Sequence, residues 1–207
     1  MKKLTLTLTA LAFAFTATVK TSYASAKNIE TTLSNIGTFN KIEVHGNVEV
    51  LFASGPKDEV KVNNDYYAEN ALVQDENGVL RISSYKAEKL VVYVTATDLR
   101  SITAYDNASV KSDGRLSLID LSVDLHDNAY ASLNLDNYAA DISVNDHAKA
   151  DLSGNVIDYN LNYSHSSTVN RTDLAALNTT ETVTTPYQVE KHPHHHIMRM
   201  VDARFNS

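Results

Sequence analysis

Asp106, Asp127 and Asp146 stand 21 and 19 residues apart, each followed by Asn or His and then by Ala. Carboxylates brought one above another at that spacing could hold a calcium ion together with backbone carbonyls. The same residues have a plainer use, because Asp and Asn hydrogen-bond their own backbone in tight bends and tolerate left-handed backbone. The expectation is that these three turn the chain; the glycine-rich calcium nonapeptide of β-rolls is absent. His126, His147 and His165 recur nearby but precede, follow and replace the aligned aspartate, so their side chains alternate in direction. They do not converge as a tetrahedral zinc site requires. His192, His194, His195 and His196 could chelate zinc, copper or nickel as a flexible tract, although a solvated tail is the expectation. No cofactor and no built metal site are expected.

Catalytic patterns are missing. There is no Gly-x-Ser-x-Gly elbow, no His-Glu-x-x-His and no phosphate-cradling glycine loop. Asp120, Asp124, Asp136, Asp141 and Asp158 are scattered acids, and carboxylate spacing alone says little about glycoside chemistry. Tyrosine is the main aromatic, with eleven residues against no tryptophan. Tyr105 and Tyr130 fall in the outward, polar phase of the chain, where a ring that is apolar with a wet hydroxyl suits sugar stacking or protein contact. Strands also favour tyrosine for its own sake. The candidate ligand-binding residues are therefore Tyr105, Asp106, Asp127, Tyr130 and Asp146.

What must position these residues is a repeat. Laying Asp106-Asn107-Ala108 over Asp127-Asn128-Ala129, Asp146-His147-Ala148 and His165-Ser166-Ser167 brings Leu99 to Val169 into register at offsets of 21, 19 and 19 residues. Four columns then appear: Ile102, Val123, Ile142 and Leu161; Ala104, Leu125, Val144 and Tyr163; Ala108, Ala129, Ala148 and Ser167; Val110, Ala131, Ala150 and Val169. Within each copy the columns lie an even number of residues apart, the period of strands with one buried face. One copy of ~20 residues cannot bury that face alone, so copies must stack into a solenoid. The reading is a single-domain, all-β chain built from coils of a parallel β-helix. An antiparallel sandwich with evenly spaced strands is the rival.

Upstream, Ile42, Val44, Val48, Val50, Phe52, Val60 and Val62 alternate, with Gly46-Asn47 and Ser54-Gly55-Pro56 as turns. Short strands follow at Leu72–Gln74, Val79–Ser83 and Leu90–Thr95, Glu76-Asn77-Gly78 reads as a hairpin turn, and residues 65–71 could form one helical turn. A last coil at residues 178–183 would protect the end of the ladder from edge pairing. Residues 1–26 read as a secretory signal: Lys2 and Lys3, an apolar run from Leu4 to Val19, and Ala24-Ser25-Ala26 for cleavage. The expected division is signal peptide 1–26, β domain 27–183 and His-containing tail 184–207. The chain has no cysteine, which excludes disulfides, thiol nucleophiles and a lipoprotein anchor. The formal net charge is -7, and becomes -10 without residues 1–26, which hold Lys2, Lys3 and Lys20 and no acid. Such a surface repels nucleic acid and anionic lipid. No membrane span is expected after cleavage.

Phe39-Asn40-Lys41-Ile42-Glu43-Val44-His45-Gly46-Asn47-Val48-Glu49-Val50 resembles the opening motif of the family of putative auto-transporter adhesin head domains, the GIN domain. This is a domain of unknown function common in secreted proteins of Bacteroidetes. Gly78-Val79-Leu80-Arg81-Ile82, Leu90-Val91-Val92-Tyr93-Val94-Thr95 and Leu99-Arg100-Ser101-Ile102 resemble its middle strands. The coils resemble its Ser-Gly-Ser-Gly-Asp-Val repeats, with Tyr105-Asp106-Asn107-Ala108-Ser109-Val110 where the family has glycines. The likeness covers roughly residues 39–183. It implies a right-handed parallel β-helix in the periplasm, at the cell surface or outside the cell, with no established catalytic residues. No self-exporting barrel is expected, since even the smallest needs eight strands of ~9–11 residues. The function expected is a secreted, non-enzymatic binding module for a protein or glycan. The alternatives are an envelope polysaccharide-processing enzyme and a structural or metal-sequestering envelope protein.

Overall fold

The computed structural model describes residues 30–34, 36–63 and 72–184. The expected signal segment, the helical turn near residues 65–71 and the tail with His192, His194, His195 and His196 lie outside the described residues. Among the described residues every regular element is a strand: β1 (Glu30–Thr32), β2 (Lys41–Gly46), β3 (Val48–Ser54), β4 (Glu59–Asn63), β5 (Leu72–Glu76), β6 (Val79–Ser84), β7 (Leu90–Ala96), β8 (Ser101–Ala104), β9 (Ser109–Leu116), β10 (Asp120–Leu125), β11 (Tyr130–Val144), β12 (Lys149–Ser164) and β13 (Thr168–Thr184). Most alternate between buried and part-exposed residues, as the period-2 pattern requires. Their inward residues form one core, with Phe52, Ile42, Leu80, Ile82, Leu125 and Leu133 among its largest fully buried members.

The expected right-handed parallel β-helix does not form. The thirteen strands make one curled, half-barrel-like sheet of mixed direction, in the order β1-β4-β7-β3-β9-β11-β10-β8-β2-β6-β5, with β12 on β11 and β13 on β12. Two findings overturn the solenoid. First, β1 pairs β4, β4 pairs β7 and β5 pairs β6 antiparallel. Second, β2 lies between β6 and β8, and β3 between β7 and β9, so the layers do not follow chain order. For β5 and β6 the cause is link length. A parallel return needs a crossover of a dozen or more residues, whereas only Asn77 and Gly78 separate these two paired strands. Asn77 and Gly78 both take positive φ, 54° and 77°, as a two-residue primed hairpin turn demands. The sandwich rival fails too, because all thirteen strands belong to one sheet.

From β8 onward the pairs are parallel. Ile102 stands beside Val123, Val123 beside Ile142 and Ile142 beside Leu161. Beyond Leu161 the partner is Glu181. Arg171 lies in a bulge of β13 opposite Leu152 and forms an ion pair with Glu181 through Nη1 and Oε1. The last strand thus replaces two apolar core positions with a paired cation and anion, one of the devices that keep an exposed sheet edge from pairing further. Beneath it Tyr159 is 1% exposed and its hydroxyl has no protein partner. Burial, the main cause, and Glu181 push its pKa up to about 12, against the opposing pull of Arg171.

Candidate functional site

Two corners of the sheet carry the side chains of interest. The first holds four of the five residues singled out from the sequence. Asp106, Asp127 and Asp146 have φ of 59°, 57° and 52°, and Gly46, the residue aligned with them on β2, has 81°. In this left-handed bend the N–H leaves the ordinary strand ladder and needs another acceptor. The next aspartate supplies it. Gly46 N–H donates to Asp106 Oδ2 (3.0 Å), Asp106 N–H to Asp127 Oδ2 (3.1 Å) and Asp127 N–H to Asp146 Oδ2 (3.1 Å). The aspartate carbonyls accept from Asn128 N–H and His147 N–H, both at 2.9 Å, and Ser166 Oγ closes on the Asp146 carbonyl at 2.5 Å. Each carboxylate is therefore engaged by the backbone one layer away. Among the described residues no three His, Asp or Glu side chains converge to hold a metal.

Beside this corner the rings of His45, Tyr105 and His126 stack, with centroids 4.5 and 4.8 Å apart and planes within 9°. Both faces of Tyr105 are covered, so it offers no face to a sugar. The imidazoles are held by acids: His45 Nε2 lies 2.7 Å from Glu43 Oε1, and His126 Nε2 lies 3.0 Å from Asp124 Oδ2. The hydrogen bond from His45, with help from Arg81, keeps the Glu43 carboxyl below its ordinary pKa despite partial burial. Burial and the nearby carboxylates of Glu43, Asp124 and Asp127 push the Tyr105 phenol up. Tyr130 lies on the adjoining face and donates to Asp151 Oδ2 at 2.6 Å, which raises its own pKa. It lines a shallow groove with Asn128, His147, Lys149, Ser166 and Thr168. The three histidines separate as their phases require: His126 joins the stack and His147 the groove, while His165 is exposed.

The second corner was missed. The pairs Asp120–Ala139, Asn137–Val156, Ala139–Asp158, Val156–Ala176 and Asp158–Asn178 bring Ile119, Tyr138, Ile157 and Leu177 into one column on successive layers. These side chains are 77, 58, 42 and 77% exposed. Asp120 and Asp158 adjoin the column in sequence, and Asp136 and Asp141 flank Tyr138. Asp136 meets Arg115 at 3.6 Å, Asn160 donates to Asp141 at 2.7 Å and Asn178 to Asp158 at 2.7 Å. The result is a row of large apolar side chains held in water beside an acidic border. Its signal was present: apolar residues recur at 19, 19 and 20 residues in the phase of the repeat where the chain should be polar.

The family model described as "Putative auto-transporter adhesin, head GIN domain" matches residues 38–197. Among solved structures the chain is similar to a "putative adhesin" from Bacteroides fragilis NCTC 9343, with a TM-score of 0.65, 16% identity and 78% of each chain covered. It is similar to a "putative adhesin" from Parabacteroides merdae ATCC 43184, with a TM-score of 0.60, 14% identity and coverage of 76% of this chain and 78% of that one. A "Putative lipid binding protein" from Parabacteroides distasonis ATCC 8503 shares the fold with a TM-score of 0.58, 10% identity and coverage of 75% and 78%. At these identities the likeness is one of fold. No curated protein matches the chain.

Proposed function

The chain belongs to the family described as "Putative auto-transporter adhesin, head GIN domain", and we propose that it is an exported, non-enzymatic binding module of the cell envelope whose ligand is a protein. The observation that carries this reading is the exposed ladder of Ile119, Tyr138, Ile157 and Leu177. Contiguous apolar side chains held in water mark sites that a partner covers. A glycan ligand has less support, since the stacked Tyr105 has no free face and Tyr130 spends its hydroxyl on Asp151. Export is supported by the charged, apolar and small-residue pattern of residues 1–26. Among the described residues no helix is long and apolar enough to cross a membrane.

The test pairs a glycan array with cross-linking capture from envelope extract, using the native chain and a Tyr138→Ser, Ile157→Ser double variant. The expected result is a protein captured by the native chain and lost from the variant, with no glycan bound. Glycan binding indifferent to the double variant overturns the choice of ligand. Turnover of any polysaccharide, abolished by one acidic substitution, overturns the non-enzymatic reading.

A further inference from the structure

Resting on that protein-binding reading, the spacing and charge of the second corner define the ligand more closely. Strands neighbouring in a sheet lie ~4.8 Å apart, so the ladder presents one large apolar side chain about every 4.8 Å. An α-helix laid along it presents one apolar residue per turn, with a pitch of ~5.4 Å. Over the three steps from Ile119 to Leu177 the two patterns drift apart by only ~2 Å. An extended strand laid the same way repeats a face every ~6.8 Å and falls out of register by ~2 Å at each step. The rim adds a sign. Asp141 and Asp158 border the ladder with only neutral asparagine partners, while Asp136 faces Arg115 and Asp120 lies within reach of Arg100, itself paired with Asp98.

We propose that the ladder of Ile119, Tyr138, Ile157 and Leu177 docks a basic amphipathic α-helix of a partner protein. One apolar side chain sits on each layer, with Lys or Arg on the flanks of the helix over the carboxylates. The apolar anchors repeat at i, i+4, i+7 and i+11, the pattern of helix-in-groove recognition. A second copy of this chain is a poor occupant. It would bring the same four carboxylates against themselves, on a chain whose formal net charge is -7.

The test uses the purified full chain and three fluorescein-labelled synthetic peptides of identical Leu and Lys content. One carries Leu at i, i+4, i+7 and i+11, one alternates Leu and Lys as a strand would, and one has the order scrambled. Fluorescence anisotropy should give the striped helix at least ~10-fold tighter binding than either isomer. Ile157→Ser should weaken that binding by about 10-fold, the ~1.4 kcal/mol expected of one buried apolar anchor. Asp136→Asn with Asp158→Asn should weaken it several-fold and flatten its salt dependence. Circular dichroism melts confirm that the variants stay folded. Equal binding of all three peptides, tighter binding of the strand isomer, or indifference to Ile157→Ser overturns the proposal. So does a dimer in sedimentation velocity that Ile157→Ser dissolves, which gives the ladder to a second copy. If an envelope protein is captured through Tyr138 while no helical peptide binds, the helix fails and the protein-binding reading stands.

Discussion

The corner built on Asp106, Asp127 and Asp146 and the corner built on Ile119, Tyr138 and Ile157 belong to the same layers of one sheet. They divide the labour in opposite ways. At the first, residues whose types suggest chemistry are engaged by the molecule itself. Each aspartate holds a left-handed bend and accepts an N–H from the layer beside it, and Tyr105 is closed between two imidazoles. At the second, residues of no chemical promise are left exposed and uncommitted. In a stacked sheet, then, the polar residues at a bend are the first suspects for structure, and the apolar ones in the outward phase are the first suspects for function.

The contrast can be broken most severely at Gly46. Its φ is +81°, and a Cβ there would lie 2.2 Å from the Ser84 carbonyl oxygen. Gly46→Ala should cost about 3 kcal/mol or more, from left-handed strain together with the clash, read as a lower urea midpoint at unchanged slope. Next comes Asp127. Removing its carboxylate hands the exposed Asp106 N–H, which now donates to Oδ2 at 3.1 Å, to water, and Ala tolerates the bend poorly. Asp127→Ala should cost about 1–2 kcal/mol, Asp127→Gly less, because the bend is kept, and Asp127→Asn under ~1 kcal/mol, because bend and acceptor both survive. Equal losses from all three would mean that the carboxylate has a further role at that corner.

Tyr159 sharpens the comparison from inside the core. Its hydroxyl is buried without a protein partner, so Tyr159→Phe should be neutral or stabilising by up to ~1 kcal/mol. Its pKa is about 12 in the folded chain against an ordinary 10.0. As pH rises past 10 the unfolded chain loses this proton before the folded one does. Stability conferred by the neutral phenol is therefore complete below pH 10 and declines between about 10 and 12. Melting temperatures across that range should fall more steeply for the native chain than for Tyr159→Phe. The smallest effect belongs to the second corner. Ile119→Ser and Ile157→Ser should leave stability within ~0.5 kcal/mol while removing partner capture. A large loss of stability there would place the ladder in the core and erase the distinction between the corners.

Much of this was legible before the structure. The alternation from Ile42 to Val62 became β2, β3 and β4, Asn77-Gly78 became a hairpin turn, and the column Ile102, Val123, Ile142 and Leu161 became in-register neighbours. The layer order was not legible. Ile42 sits between Leu80 and Ile102, yet three buried aliphatic residues of similar size carry no mark of which lies in the middle. β4 runs antiparallel to β7, a partner distant in the chain, so nothing in its own residues marks the reversal. The bends at Asp106, Asp127 and Asp146 were readable because left-handed backbone has few tolerant residue types. The ladder went unread for the converse reason. Ile119 and Leu177 look ordinary in isolation, and only their common outward phase sets them apart.

The Arg171–Glu181 pair makes the two ends of the sheet unlike. At one end lie the short antiparallel strands β1, β4 and β5; at the other, a cation and an anion occupy the positions next to Leu152 and Leu161. A molecule that could use its last strand as a template for another copy's first would string itself head to tail into a filament. For this chain such a junction would strip water from a charged pair. The charged pair on the last described strand thus works against head-to-tail growth while leaving the outward ladder untouched.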